Sequence, residues 1–224
     1  GRAGAADAGA DMKQILFLKA DGAAQALQDS LLTRFGRSLP AGCLAAAVNV
    51  VQPGPEPAPW DLVLELWLDR RSPAAPFALF GLIPAGTRIA TCVVEELVEK
   101  DAGPARGWPT PGIKMIVPWF GRADLTAGEL RRRWDEHVPL ANRIHVGVGR
   151  YVRNWVEQRS PADAPPYQGI AMQSFATEAD LHERLFDTQD DVQVILDDVA
   201  EFIAGHVALV VVEYHTRADD APAA

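Results

Sequence analysis

The sharpest chemical signal in the sequence is one histidine inside the stretch LRRRWDEHVPL. Leu130, Trp134 and His137 fall at i, i+4 and i+7, so an α-helix here places the imidazole on its apolar face. Pro139 is expected to end that helix, which puts His137 at its C-terminal end. Burial would lower the imidazole pKa and the helix dipole would raise it. A histidine held near neutrality there could act as general acid or base. A buried histidine whose ring nitrogens only bond to nearby carbonyls fits the same spacing.

A strand, RYVRNWVEQ, carries the second signal. Tyr151, Arg153, Trp155 and Glu157 share one face, and Arg150, Val152, Asn154 and Val156 share the other. Asn154 between two valines must be hydrogen-bonded, to a ligand, to His137 or to backbone. Tyr151 and Trp155 are expected between sheets. The remaining histidines carry less. His145 follows His137 by eight residues, which is not a metal-ligand spacing. His182 is expected to be exposed, and His206 begins a strand. Glu213 and His215 share a face of the last strand, as a dyad or, more commonly, a sheet-surface pair. No HExxH, CxxC, P-loop, GxGxxG or GxSxG motif occurs. No metal site or cofactor is expected, and Cys43 and Cys92 read as small buried hydrophobes.

These residues must be positioned by a repeated order of elements. Lys13–Lys19, Cys43–Val51, Asp61–Leu68 and Arg88–Val98 read as strands, with helices over Ala23–Phe35 and a short Pro-marked segment, Pro73–Phe80. After a linker over 101–111, the order returns. Strands cover Ile113–Trp119, Gly149–Glu157, Gln168–Phe175 and Val207–His215. A helix covers Ala127–Glu136, with Thr126 and Glu129 as a capping box. Thr177 caps a helix to about Asp187. Thr188 with Asp191 opens another, whose apolar stripe runs through Val192, Ile195, Leu196, Val199, Phe202 and Ile203 to a stop at Gly205.

The pattern is therefore βαββαβ twice, an α+β fold of two tandem ferredoxin-like units over 12–100 and 112–217. Residues 1–11 and 218–224 read as flexible tails. Each helix-free sheet face must be buried, so the units are expected to pair as a fused pseudo-dimer, a sandwich or barrel, with a homodimer also open.

The composition narrows the partners. The chain has 224 residues, 48% of them apolar, and carries 21 basic against 30 acidic side chains. A net charge of −9 lacks the basic footprint that nucleic acid requires. The run Arg131-Arg132-Arg133 reads as a solvated helix face. No apolar run approaches the roughly 20 residues that span a bilayer, so no membrane partner is expected. No signal peptide is evident and cysteines are few, which makes the cytoplasm the expected compartment.

The second half resembles the EthD domain, the ethyl tert-butyl ether degradation family of dimeric α+β barrels, over residues 113–216. The resemblance is carried by Lys114-Met115-Ile116-Val117, Leu125-Thr126, Glu129-Leu130-Arg131, Trp134, and Glu136-His137-Val138-Pro139-Leu140. It continues through Arg150-Tyr151-Val152, Asn154, Tyr167, Gly169-Ile170-Ala171, Phe175, Asp198, Phe202 and Glu213. The first half looks like a degenerate copy. The resemblance implies a ferredoxin-like unit paired sheet to sheet, with His137 as the catalytic candidate. It suggests a cofactor-independent enzyme of isomerase, cyclase, dehydratase or monooxygenase type. The ligand would be a small aromatic or polyketide-like molecule, positioned by Trp134, Tyr151, Asn154 and Tyr167. Gln168, Met172 and Gln173 stand where members often carry acids, which removes a carboxylate from the implied mechanism. A binding protein for an apolar or haem-like ligand, or a barrel without ligand, are the alternatives.

Overall fold

The computed structural model describes residues 12–69, 81–102 and 107–217. The tails and the segment Pro73–Phe80 lie outside them, as do residues 103–106 of the linker. The first half contains β1 (Met12–Lys19), α1 (Ala24–Arg37), β2 (Cys43–Val51), β3 (Leu62–Leu68) and β4 (Arg88–Asp101). The second contains β5 (Ile113–Gly121), α2 (Ala127–Ile144), β6 (Val148–Ser160), β7 (Gly169–Phe175), α3 (Glu178–Glu183), α4 (Gln189–Ala200), β8 (Ile203–His206) and β9 (Leu209–Arg217).

Strand pairing closes the sheet on itself. The first half orders its strands β4-β1-β3-β2 and the second β6-β7-β5-β9. Antiparallel pairing of β4 with β6 and of β2 with β9 joins the halves at both edges. Eight strands thus form a barrel with no open edge, and β8 continues the pairing of β5 beyond the end of β9. The barrel is the one of the two expected arrangements that also satisfies the edge amides. Helices cover the outside.

Alternation along the strands sorts side chains into an interior and an exterior. On the outside of the first half, Leu16, Leu18, Leu62, Leu64 and Leu66 meet Leu27, Leu31 and Phe35 of α1. Inside, one end of the barrel is apolar, with Phe17, Trp60, Val63, Tyr167 and Ile170. The other end is ionic. Lys13 bonds Glu65 at 2.8 Å and Glu96 at 2.5 Å, and Lys114 bonds Glu65 and, at 2.6 Å, Glu213. Asn49 donates to Glu65, and the Trp67 indole N–H to Glu96. Burial pushes the Glu65 carboxyl up, but the Lys114 and Lys13 ammoniums outweigh it and hold it below the ordinary range. Glu213 and His215 are therefore not a sheet-surface pair: both belong to this interior end, where Glu213 pairs with Lys114 and His215 stacks near Trp67.

The ends of α2, α4 and α3 differ from the sequence reading. Helix α2 passes through Pro139 to Ile144. The missing Pro139 N–H would have met the Asp135 carbonyl, and both residues lie on the exposed side where water can replace it. Helix α4 stops at Ala200, so Phe202 and Ile203 leave the expected stripe, and Leu196 is 48% exposed. Ile203, Gly205 and His206 instead pair with Gly121, Phe120 and Trp119 of β5, whose backbone would otherwise lack partners. Helix α3 also ends early, at Glu183.

Candidate active site

Helix α2 starts where the capping box predicts. Thr126 accepts from the Glu129 N–H, and Glu129 answers the Thr126 N–H at 2.8 Å. Its buried face is Leu130, Trp134, His137, Val138, Ala141 and Ile144. Arg131, Arg132 and Arg133 point outward and pair with Glu95, Glu136 and Glu201, the solvated face their run suggested.

Since α2 continues past Pro139, His137 lies mid-helix and no helix end acts on it. Its Nδ1 meets Oδ2 of Asp198 on α4 at 2.5 Å. Its ring lies 5.7 Å from that of Phe202. Burial lowers the His137 pKa and outweighs the Asp198 carboxylate, which raises it. The imidazole is therefore neutral near pH 7. With Nδ1 tied to Asp198, Nε2 carries the free lone pair, and no hydrogen bond joins it to another described residue.

The floor below is the outer face of the second half's strands. The pairing register arranges it in rows: Trp155, Gly169 and Trp119; then Arg153, Ala171 and Val117; then Tyr151, Gln173, Met115 and Val210. Trp134 stands over Gly169, where a Cβ would come within 2.5 Å of its ring, and Val138 packs in the same cluster as Tyr151. His137 lies between them on α2, near enough to Arg153 of the middle row for its charge to act on the imidazole. Ala171, Val117, Met115 and Val210 face the helices and yet stay half-buried. We take this half-buried floor, with α2 and α4 above it, as the candidate cleft. Trp119, Trp134 and Phe202 close one end of it as an edge-to-face aromatic cluster.

Trp134, Tyr151 and His137 thus come together at this cleft, with Tyr151 and Trp155 facing helices rather than a second sheet. Burial pushes the Tyr151 hydroxyl well above its ordinary pKa, so it is a donor and not an anion. Asn154 and Tyr167 lie elsewhere. Alternation turns Asn154 into the barrel, where its amide donates to the Ile170 carbonyl at 3.1 Å and its Oδ1 is buried without a partner. It cannot orient His137 from there. Tyr167 accepts from the Trp60 indole N–H at 3.0 Å among Phe17 and Phe120 in the apolar end of the barrel.

Of the other sites singled out, His145 is tied to the Leu185 carbonyl at 2.7 Å, and His182 is exposed beside Glu178. Cys43 and Cys92 are buried and free. Three site features were not assigned from the residues alone. Asp198 entered only through the resemblance, although its position three residues past Ile195 on a helix could have placed it beside the apolar stripe. Gln173 was noted only as a departure from the family pattern. Arg153 is buried, bonded to Glu99 at 2.8 Å and Asp135 at 2.7 Å, with its guanidinium 5.0 Å from the Trp134 ring centre. An arginine alternating with Tyr151 and Trp155 on a covered face was the available signal.

Comparison with known proteins bears on this half of the chain. Residues 122–206 match the EthD domain. The match contains α2, His137, the cleft floor strands and Asp198. Three crystal structures share the overall fold of the whole chain, EthD-like half and first half together. An anthrone oxidase-like protein superposes with a TM-score of 0.64 at 12% identity, covering 96% of this chain and 98% of its own. A "putative monooxygenase" from Lactobacillus acidophilus NCFM gives 0.56 at 10% identity, over 92% and 96% of the two chains. Another from Fusobacterium nucleatum subsp. nucleatum ATCC 25586 gives 0.57 at 11%, over 92% and 93%. The fold shared with these proteins is an α+β barrel, closed here within one chain. No protein of curated function matches the sequence. No helix among the described residues is long and apolar enough to cross a membrane.

Proposed function

We propose that the protein is a cofactor-independent enzyme that takes a proton from carbon in a small aromatic or polyketide-like substrate held in the cleft of the EthD-like half. One observation carries this reading: the Nδ1 of buried His137 is held by Asp198 at 2.5 Å, while its Nε2 has no partner among the described residues and is not sealed from solvent; burial also lowers its pKa. An oriented imidazole with a free lone pair is a general base, and the Asp198 carboxylate stabilises the imidazolium formed when it accepts the proton. The apolar floor and the indoles of Trp134 and Trp155 suit a flat ring. The resulting carbanion can be reprotonated elsewhere, an isomerisation, or oxidised by dioxygen. In the second case a methylene loses both hydrogens, one oxygen atom of dioxygen becomes the new ketone and the other leaves as water. The monooxygenase-like neighbours favour this second outcome.

Anthrone, an activated methylene between two aromatic rings, is the probe. Oxygen uptake and anthraquinone formation are followed for the wild type, His137→Asn and Asp198→Asn. The expected losses are about 10²–10⁴-fold for His137→Asn and at least about tenfold for Asp198→Asn. The wild-type rate should rise with pH through a midpoint below the ordinary histidine value of about 6.5 and then level off. A His137→Asn protein that keeps the wild-type rate overturns the assignment. Saturable binding of the probe without His137-dependent turnover supports the binding-protein alternative.

A further inference from the structure

The cleft floor contains one polar side chain that the protein leaves unanswered. Gln173 is 7% exposed and sits on the outer face of β7, directly between Tyr151 on β6 and Met115 on β5. No hydrogen bond joins its amide to another described residue. Its atoms are also not sealed off in the way that Trp119 Nε1 and Asn154 Oδ1 are. A primary amide presents two N–H donors beside a carbonyl acceptor, and a group this deeply buried is ordinarily paired. Gln173 therefore faces the cleft with both halves of its amide available.

The surroundings limit what can pair with it. Ala171, Val117, Met115 and Val210 offer only apolar contact. The Asp198 carboxylate, 35% exposed, disfavours an anion. The Arg153 guanidinium, which could have offset that, is already bonded to Glu99 and Asp135. A cation would have to displace the neutral, Asp198-bonded His137 from its partner. The complement of a single amide in a neutral, flat, apolar slot is a planar edge with a donor and an acceptor side by side.

We propose that Gln173 is the recognition residue of this cleft, and that it selects neutral flat ring compounds bearing a hydrogen-bond donor next to a carbonyl on one edge: lactams, or enolised dicarbonyls of the same shape. The proposal rests on the cleft reading above and adds the substrate class.

The test is calorimetric titration of the full chain with two probes, 2-quinolone and N-methyl-2-quinolone; N-methylation removes the donor and adds a methyl, and the Gln173→Leu variant separates the two, because a preference due to bulk survives in it. The wild type is expected to bind 2-quinolone at least tenfold more tightly. Gln173→Leu should abolish that preference by weakening 2-quinolone more than its N-methyl analogue, whereas Gln173→Glu, which can still accept from the lactam N–H, should keep a preference for 2-quinolone. Circular dichroism melting identifies a misfolded variant, in which case Gln173→Met, closest in shape, replaces it. His137→Asn should keep the preference, because recognition does not depend on turnover. A failure of the base-catalysis reading thus leaves this measurement intact. Equal wild-type affinity for both probes, no binding of either, or an unchanged preference in Gln173→Leu overturns the proposal.

Discussion

The outer faces of the two halves of the barrel use the same scaffold to opposite ends. In the first half, α1 closes on the sheet through Leu27, Leu31 and Phe35, and the strand residues below it, Leu18, Leu62, Leu64 and Leu66, are sealed. In the second half, the corresponding layer under α2 and α4 contains Ala171, Val117, Met115 and Val210, all half-buried, with Gln173, His137 and Asp198 among them. Large leucines fill the layer beneath Leu27 and Leu31 on one side, whereas on the other a row of smaller or polar, half-buried groups lies between the packed clusters around Trp134 and Ile144. In the proposed function, stability and chemistry are separated onto two faces of one barrel. A filled layer gives up the room a ligand needs, and a cleft gives up the apolar contact that a filled layer supplies.

The largest effects should come from reversing this difference. Leu31→Ala in the sealed layer is expected to cost about 2–5 kcal/mol, read by urea denaturation, with probe binding unchanged. Ala171→Leu in the open layer should abolish probe binding in calorimetry while leaving stability unchanged or slightly raised. Loss of binding in the first variant and retention in the second would mean that the ligand site is not on the EthD-like face.

A smaller effect tests the buried imidazoles, two on the helix side of the second half and one inside the barrel. His137, His145 and His215 all have their pKa lowered, chiefly by burial. Each takes up a proton more readily when unfolded, so the folded state loses stability as pH falls below the ordinary histidine value of about 6.5. Thermal melts between pH 7.5 and 5 should show a falling midpoint, and His137→Asn should make the curve shallower. A midpoint that rises on acidification would contradict the burial of these rings.

The smallest expected effect compares the two helix starts. Helix α2 has a complete capping box, whereas α1 begins at Ala23 with no side-chain cap. Thr126→Ala should cost about 1 kcal/mol, and Ala23→Ser should stabilise by up to about the same amount. Equal responses at the two sites would show that tertiary contacts, not caps, fix both helix starts.

Much of this was legible in the sequence because it is local. Alternation placed Leu62, Leu64, Leu66 and Leu68 on one face, the capping boxes at Thr126 and Thr188 fixed two helix starts, and the 3.6-residue spacing joined Trp134 to His137. The repeated order of strands and helices gave the α+β barrel of paired units. Periodicity also required Asn154 and Arg153 to face opposite ways. It could not say which of those faces lies under the helices, because both carry apolar neighbours.

Tertiary structure decided the rest. Pro139 is tolerated in α2 because the carbonyl it orphans is exposed, and Ile203 leaves α4 because β5 needs a partner there. Asp198 meets His137 only because α2 and α4 lie side by side, 61 residues apart in the chain. The interior ion network of Lys13, Glu65, Lys114 and Glu213 likewise joins strands from both halves. Spacing along a chain determines which side chains share a face of one element. Which faces meet is set by barrel closure, where distant strands satisfy each other's backbone and each other's charge.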